Sequence, residues 1–260
     1  MATAFLRSDV QKGVARVTLG RPDVRNAFNA QLIDELASAF ASISTDDSVR
    51  AVVLAGEGSV FCGGADVTWM SASLDLSHDD NVADARRMSQ MFRAVDRCPK
   101  PVVARIQGAA LGGGAGLAAA CDIVVAERST IFGFTEVKLG IIPAVISPFV
   151  LAKIGPSHAR ALFLTGERFD AARAQAIGLV HHVADAAGLD EAVERVLAEL
   201  LTAGPQATTV AKRLIADVSA AKYDDTLDLT AAAIARQRTT PEGQEGLRAF
   251  LERRKAQWAE

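Results

Sequence analysis

The sequence predicts an α/β protein with a helical C-terminal extension. Up to about residue 185, short β-rich segments alternate with segments whose apolar residues recur at helical spacing, a pattern typical of α/β domains. From Gly188 onwards the pattern is almost wholly helical. With 260 residues, of which 50% are hydrophobic, the chain is long enough to bury a sizeable core.

The predicted strands are short runs rich in branched apolar residues. Between the first two, apolar residues recur at helical spacing over Asn29–Ile43, and Asn29 is suited to cap that helix. A second helix is predicted over Asp79–Arg97, because the prolines that follow in CPKP prevent its continuation. The strands are predicted at Val14–Leu19, Ala51–Gly56, Pro101–Gln107, Cys121–Glu127 and Ile131–Phe134.

The C-terminal third is predicted to form helices at residues 188–204, 205–221, 223–240 and 241–258. Pro205 and Pro241 stand where two of these helices begin, a position that tolerates proline because its N–H would have no helical partner. Helices of this kind must bury their apolar faces on the main domain or on neighbouring subunits. We therefore expect an oligomer.

Composition excludes several classes of protein. The formal charge of −3 and the pI near 5.9 argue against a nucleic-acid-binding protein, which would present a basic surface. No apolar run approaches the roughly 20 residues that span a bilayer, so no membrane segment is predicted. The first residues resemble no secretory signal, and the expected location is the cytoplasm.

Neither a metal site nor a disulfide is predicted. Cys62, Cys98 and Cys121 are odd in number and lie in apolar sequence, which favours reduced thiols in the core. The histidines form no HExxH motif, and the adjacent His181 and His182 would point to opposite faces of a strand.

The segment LGGGAGLAAACD, residues 111–122, places glycines between a predicted strand and a short helix. Glycine lets a ligand approach the backbone closely, and the first N–H groups of a helix are free to bind an oxyanion. GAGLAA, residues 114–119, also fits a dinucleotide fingerprint, but too few residues precede the next strand for the usual crossover. A third interpretation is that the glycines only permit close packing.

A second glycine segment, GSVFCGGADVTWM, follows another predicted strand at residues 58–70. Two such loops could direct their N–H groups at one oxygen, as an oxyanion hole requires. Sequence spacing alone does not establish that the two loops converge.

Six segments along nearly the whole chain form a recognisable pattern. They read GRPDVRNAFN, AVVLAGEGSVFCGGAD, KPVVARIQGAALGGGAGLAAACDIVVA, FGFTEVKLGIIP, LTGERFDAARAQAIGLVHHV and GLRAFLERRK. In this order they resemble the crotonase superfamily, also called the enoyl-CoA hydratase/isomerase family. The resemblance implies a spiral of ββα units over residues 1–200, a helical trimerisation region over residues 201–260, and a homotrimer or a hexamer of two trimers. The implied substrate is an acyl-CoA thioester, whose coenzyme A is part of the substrate, with no separate cofactor.

The resemblance also implies roles for single residues. The Ala65 and Gly113 N–H groups match the oxyanion hole that holds the thioester carbonyl, where negative charge develops as an enolate. Glu136 matches the family's second catalytic glutamate, a general acid/base. We expect its apolar sequence neighbours to desolvate the carboxylate and raise its pKa. These neighbours are Phe132, Phe134, Val137 and Leu139.

One position departs from the family pattern. Typical hydratases have a first glutamate where this chain has Gly116. A site with one glutamate suits a 1,3-proton shift, yet it does not exclude hydration. The main prediction is hydration of a 2-enoyl-CoA. The first alternative is a Δ3-Δ2-enoyl-CoA isomerase, and the second is a non-catalytic acyl-CoA-binding protein.

The segments GGADVTWM and GIIPAVISPFV resemble the branch of 3-methylglutaconyl-CoA and isohexenylglutaconyl-CoA hydratases. Such substrates have their own carboxylate, for which Lys138 or Arg25 is the expected partner. The acyl group is expected to be selected by residues 71–81 and by the helix after Pro143.

The resemblance places coenzyme A near RPDVRNAF and GADVT, where Thr68 replaces a lysine common in the family. Lys255 is a candidate contact to a neighbouring subunit's coenzyme A. The residues predicted to contact substrate or coenzyme A are Arg25, Ala27, Gly64, Ala65, Asp66, Val67, Gly113 and Pro143.

Overall fold

The structure, a computed structural model, describes residues 5–259 and divides them into two compact units. The first comprises the residues up to Cys98 together with Val102–Val193, and the second comprises Pro99–Pro101 together with the residues from Glu194 onwards. The division falls within a helix, Leu189–Thr202, which also contains the boundary predicted between residues 200 and 201. The roles predicted for the two parts stay predictions.

The described chain contains two β-sheets, both in the first unit. The strands are β1 (Leu6–Gln11), β2 (Val14–Leu19), β3 (Ala51–Gly56), β4 (Val102–Ile106), β5 (Ala109–Leu111), β6 (Ile123–Glu127), β7 (Ile131–Gly133), β8 (Arg168–Asp170) and β9 (His182–Ala184). The larger sheet has the order β1-β2-β3-β4-β6-β9, with only the β1–β2 pair antiparallel. The smaller sheet has the order β5-β7-β8, in which β5 and β7 are parallel.

The helices of the first unit follow the strands in an α/β alternation. The α-helices of the chain are α1 (Ala30–Thr45), α2 (Val67–Ala72), α3 (His78–Asp96), α4 (Gly113–Ala120), α5 (Ser147–Thr165), α6 (Ala171–Ala176), α7 (Leu189–Thr202), α8 (Pro205–Ala220), α9 (Thr226–Thr239) and α10 (Pro241–Leu251). None of the described helices is long and apolar enough to cross a membrane.

All five predicted strands are confirmed. Two coincide with β2 and β3, and the other three contain β4, β6 and β7. The helix predicted from Asn29 is also confirmed, because the Asn29 side chain accepts a hydrogen bond from the Leu32 N–H at 2.9 Å and so caps α1. The sequence missed β1, an edge strand whose side chains are almost all exposed and show no apolar alternation.

Two predictions for the C-terminal helices are wrong in their bounds. Residues 223–225 form a 3₁₀ turn, so α9 begins only at Thr226. The last helix ends at Leu251 instead of residue 258. Beyond it, Arg253 has a φ of +56°, and the Arg254 guanidinium folds back onto Glu245 at 2.6 Å. The left-handed backbone at Arg253 ends the helical path, and the ion pair links the residues that follow to α10.

Helix α4 lies in the centre of the first unit, and all eight of its residues are buried. The small size of its glycine and alanine residues allows this. A Cβ atom on Gly114, for example, would lie only 2.4 Å from the Cys62 carbonyl oxygen. The three cysteines are buried, as the sequence predicted. The core therefore brings the segment around Cys62 directly against the start of α4.

Candidate active site

Three chain segments, of which two are strands of the smaller sheet, end side by side. Cys62 forms a parallel bridge to Ala110 in β5, and β5 pairs in parallel with β7. Segments that run in the same direction have their C-terminal ends at one edge, which is where α/β proteins commonly bind ligands. The residues that follow the three segments are Gly63–Ala65, Gly112–Gly113 and Glu136.

The two glycine loops singled out in the sequence touch each other here. The Leu111 N–H donates to the Cys62 carbonyl at 3.1 Å, which fixes their register. Gly64 has a φ of +99°, and a Cβ atom there would lie 2.9 Å from the Leu111 carbonyl oxygen and 3.9 Å from the Gly113 nitrogen. Gly64 is therefore required both by its backbone conformation and by the close approach of the second loop.

The backbone N–H groups of Ala65 and Gly113 are not used by the fold. The Phe28 N–H donates to the Gly64 carbonyl at 2.7 Å, and the Asp66 N–H donates to the Phe28 carbonyl at 2.8 Å. Neither of these hydrogen bonds uses the Ala65 N–H. Gly113 is the first residue of α4, where an N–H has no helical acceptor and lies at the positive end of the helix dipole. Within residues 5–259, neither N–H has an acceptor at hydrogen-bond distance.

Glu136 opens a 3₁₀ turn, Glu136–Leu139, three residues after β7. Its Oε2 atom is buried and has no hydrogen-bond partner among the described residues. Its Oε1 atom lies close to the second glycine loop, 3.3 Å from the position of a Cβ atom on Gly112. Burial raises the pKa of Glu136, in the direction that the sequence predicted, and its own backbone N–H offsets part of this effect.

These groups face one pocket of about 380 Å³. Its volume lies in the range of small-molecule sites, and its wall is mostly apolar. The lining residues come from both glycine loops, α2, α3, Glu136 and the segment before α5. They are Gly63–Ala65, Trp69, Met70, Ser73, Asn81, Asp84, Ala85, Met88, Gly112, Gly113, Thr135, Glu136, Leu139 and Ile141–Ile146.

Of the residues predicted to contact the substrate, Gly64, Ala65, Gly113 and Pro143 line this pocket together with Glu136. Residues 71–81 were predicted to select the acyl group, and of these Ser73 and Asn81 line the pocket. In the segment that begins at Pro143, every residue up to Ile146 lines it.

The other predicted contacts, Arg25, Ala27, Asp66 and Val67, do not line the pocket. Asp66 instead caps α2 and forms an ion pair with Arg21 at 2.8 Å. Burial acts to raise the pKa of Asp66, but hydrogen bonds from Arg21 and from two N–H groups of α2 outweigh it and lower that pKa.

Arg25 and Val67 are exposed, whereas Ala27 is buried. The Arg25 carbonyl accepts a hydrogen bond from the Gly63 N–H at 2.8 Å, which links this turn to the first glycine loop. Neither Arg25 nor Lys138 reaches the pocket, although both were expected partners of a substrate carboxylate. Among the described residues that line the pocket, none is a lysine, arginine or histidine.

Gly116 lies inside α4 and faces a residue that the sequence did not single out. A Cβ atom on Gly116 would lie 2.1 Å from the Cγ2 atom of Ile146, which is almost fully buried. The space beside Gly116 is therefore filled by an apolar side chain and does not admit a larger residue.

The sequence also missed the contribution of α3. Met88 packs over the start of α4, since its Cε atom would lie 3.1 Å from a Cβ atom on Gly113. Asp84 and Ala85, one turn earlier, line the same pocket. The helix itself was predicted, but its polar N-terminal half has no apolar stripe that would indicate which face meets a pocket.

The sequence and the structure of this chain are similar to those of known proteins. A family model described as enoyl-CoA hydratase/isomerase matches residues 9–260. A crystal structure of an enoyl-CoA hydratase from Shewanella pealeana superposes with a TM-score of 0.94 at 37% identity, covering 98% of this chain and 96% of that chain.

Two curated relatives span most of the sequence. Enoyl-CoA hydratase AKT6-1 of Alternaria alternata is 38% identical over 205 residues, which are 78% of this chain and 67% of that protein. The 1,2-epoxyphenylacetyl-CoA isomerase of Escherichia coli is 30% identical over 256 residues, which are 98% of each chain.

The fold and these matches define an enzyme of the hydratase or isomerase class, built on the mixed α/β crotonase fold with a helical C-terminal region. The chain belongs to the enoyl-CoA hydratase/isomerase family. Among the described residues, no three metal-binding side chains of the His, Cys, Asp or Glu type come together.

Proposed function

We propose that the chain adds water across the 2,3 double bond of an enoyl-CoA, with Glu136 as general acid/base and with the Ala65 and Gly113 N–H groups as the oxyanion hole. One observation carries this proposal: a buried carboxylate oxygen without a partner faces the same pocket as two backbone N–H groups without acceptors. Proton transfer at the carbon next to a thioester needs this combination of a base and two donors.

In the proposed reaction, ionised Glu136 takes a proton from water as the water oxygen bonds to C3. The electrons of the double bond move toward the thioester, and the carbonyl oxygen becomes an enolate. The two N–H groups hold this charge, and each such donor is worth roughly 3 to 4 kcal/mol in comparable sites. Glu136 then returns the proton to C2, so that one water molecule has been added and the carboxylate is regenerated.

Isomerisation is the second candidate, and the contact between Gly116 and Ile146 favours it. An apolar side chain beside Gly116 offers nothing to hold a water molecule at the position of the family's first glutamate. In isomerisation, Glu136 would remove the C2 proton of a 3-enoyl-CoA and return it to C4, which needs neither water nor a second acid. A relative of Streptococcus mutans that is 31% identical over 252 residues is named as a trans-2-decenoyl-[acyl-carrier-protein] isomerase, which is consistent with a double-bond shift.

The acyl group proposed for this pocket has no charge. The lining is mostly apolar and, in the part of the chain that the structure describes, contributes no cation. A substrate carboxylate would lose its hydration there without gaining a partner. The lack of a partner argues against a substrate of the 3-methylglutaconyl-CoA and isohexenylglutaconyl-CoA branch. The assignment of the chain to that branch rests on the sequence resemblance alone.

Coenzyme A is proposed to bind along the turn at Arg25 and Ala27 and the start of α2 at Asp66, Val67 and Thr68. The exposed Arg25 side chain is available for a phosphate, while the carbonyl of the same residue supports the first glycine loop. Lys255 is proposed to contact a neighbouring subunit's coenzyme A.

A homotrimer, or a hexamer of two trimers, is the proposed assembly. Large apolar side chains of the helical C-terminal unit are exposed in the single chain, among them Ile215, Leu227, Phe250 and Leu251. Where such side chains form one contiguous patch, they mark a protein contact. Light scattering of the purified protein would give a mass of three or six chains if the proposal holds, and a monomer would contradict it.

The experiment that tests the reaction uses crotonyl-CoA and 3-hexenoyl-CoA, followed through the absorbance of the conjugated double bond. Hydration predicts loss of absorbance with crotonyl-CoA. A gain with 3-hexenoyl-CoA and no reaction of crotonyl-CoA would replace hydration by isomerisation. Binding of both esters without any reaction would support the non-catalytic alternative. Glu136→Gln should abolish either reaction, whereas Glu167→Gln, outside the pocket, should not.

A further inference from the structure

Asp84 is an acidic side chain in the wall of a largely apolar pocket. It lies on α3, is partly buried, and lines the pocket together with Glu136. Burial raises the pKa of Asp84, and the nearby charge of Arg87 opposes this. The proposed reaction does not use this residue.

The position of Asp84 follows from its neighbour one turn along α3. Met88 packs over the Gly113 backbone, next to the N–H group proposed to hold the thioester oxygen. Residues four apart share one face of a helix, and one turn advances about 5.4 Å. Asp84 therefore lies about one helical turn from Met88 on the same face of α3, in the pocket wall and one turn away from the Gly113 N–H group.

The charge of Arg87 acts on the Asp84 carboxylate without a direct contact in the described chain. No hydrogen bond or ion pair within residues 5–259 involves this carboxylate. Arg87 is held by Asp34 on α1, through its Nε atom at 3.3 Å and a short contact from its Nη2 atom. The pocket lining thus contains two carboxylates and, among its described members, no cation.

We propose that Asp84 is a specificity-determining residue that favours acyl groups with a hydroxyl near their far end and rejects acyl groups that end in a carboxylate. This rests on the proposed function, because it assumes that the acyl group of a CoA ester occupies this pocket. An ionised carboxylate accepts a strong hydrogen bond from a hydroxyl. A second carboxylate beside it meets like-charge repulsion in a pocket whose described lining has no cation, which is a common means of excluding a wrong ligand.

Three CoA esters of equal chain length test this inference: 2-hexenoyl-CoA, 6-hydroxy-2-hexenoyl-CoA and 2-hexenedioyl-CoA. For the natural chain, kcat/KM should be highest for the hydroxy ester and lower for the diacid than for plain hexenoyl by about tenfold or more. Asp84→Asn, which keeps the shape and removes the charge, should raise kcat/KM for the diacid at least about tenfold relative to plain hexenoyl. The same variant should lower the preference for the hydroxy ester.

Asp79→Asn is the matched control, because Asp79 lies on the same helix, is exposed, and does not line the pocket. Asp79→Asn should leave the relative kcat/KM values of the three esters unchanged. Asp84→Ser provides a second neutral variant if Asp84→Asn folds poorly. The inference would be overturned if the natural chain used the diacid as efficiently as plain hexenoyl. It would also be overturned if neither Asp84 variant changed kcat/KM for the diacid relative to plain hexenoyl. A hydroxy ester that is used no better than plain hexenoyl would overturn it as well.

Binding of the saturated analogues separates this inference from the proposed reaction. Hexanoyl-CoA, 6-hydroxyhexanoyl-CoA and adipoyl-CoA cannot be hydrated or isomerised, so calorimetry measures their affinities whether or not the chain is a hydratase. Failure to convert 2-hexenoyl-CoA, with the predicted order of affinities intact, would refute hydration alone. Conversion of 2-hexenoyl-CoA, with no effect of Asp84 on any affinity, would refute the specificity role alone.

Discussion

Ile146 occupies the space beside Gly116. A Cβ atom on Gly116 would lie 2.1 Å from the Cγ2 atom of Ile146 and 2.6 Å from its Cβ atom. Gly116 belongs to the buried helix α4, and Ile146 belongs to the segment that leads into α5. The position where the resemblance puts a first glutamate is thus closed by a packed apolar side chain, which leaves Glu136 to act without that partner.

This contact predicts an energetic coupling between the two residues. Gly116→Ala should lower the free energy of unfolding by about 1 to 3 kcal/mol, because the added methyl group overpacks the core. Ile146→Ala removes the Cγ2 atom but leaves the Cβ atom 2.6 Å away, so it relieves part of the clash. The double variant should therefore lose less stability than the sum of the two single losses, by at least roughly 0.5 kcal/mol. Urea unfolding of the four proteins measures this. Strict additivity would show that the two residues are not in contact.

Gly64 supports the first proposed oxyanion donor. Gly64→Ala should lose about 1 to 2 kcal/mol of stability from its positive φ, and kcat should fall up to about 10²-fold as the Ala65 N–H moves away from the substrate. Gly155→Ala is the control: Gly155 also has a positive φ, of +68°, but a Cβ atom there would meet nothing within 4 Å. It should lose stability and keep kcat. Equal loss of kcat in both variants would argue against a specific role of the Gly64 loop.

The pKa of Glu136 predicts the pH dependence of turnover. The carboxylate must be ionised to take a proton, and burial raises its pKa above the ordinary 4.5. Turnover should therefore fall as pH decreases through a value above 4.5. The profile of kcat/KM from pH 4 to 8 measures this. An acid limb at or below the ordinary value would mean that Glu136 is not desolvated in the working enzyme.

The same residue predicts an effect on stability. A carboxyl group whose pKa is raised by folding destabilises the native state at any pH above its folded pKa, and this penalty disappears below its unfolded pKa. Glu136→Gln should thus have a higher Tm than the natural chain at pH 7, and the difference should shrink as the pH falls toward 4. Thermal unfolding at several pH values tests this, and a lower Tm for Glu136→Gln at pH 7 would contradict it.

Much of the fold was predictable because its signals are local. The apolar runs of β2 and β3 and the Asn29 cap of α1 are determined by neighbouring residues. Edge strand β1 is not, since its exposed side chains show no buried face. The end of α10 is not predictable in this way either, because it depends on the left-handed backbone of Arg253 and on a contact between Arg254 and Glu245, nine residues apart.

The candidate site divides in the same way. Ala65, Gly113 and Glu136 were named through the family resemblance, and the structure brings them to one pocket. Asp84 and Ile146 were not predicted, because their positions depend on how α3 and the segment before α5 pack against α4. No local pattern indicates that Ile146 faces Gly116, or that Asp84 shares a pocket with Glu136.

In both proposed reactions, Glu136 moves a proton at C2 of an acyl-CoA whose thioester oxygen is held by the two N–H groups. Exchange of the C2 protons of butyryl-CoA in D₂O isolates this step, since this saturated ester can be neither hydrated nor isomerised. Mass spectrometry should detect deuterium at C2 with the natural chain. Glu136→Gln should slow the exchange by about 10²- to 10⁴-fold while it still binds the ester. Undiminished exchange in Glu136→Gln, or no exchange by a natural chain that binds butyryl-CoA, would contradict this role of Glu136.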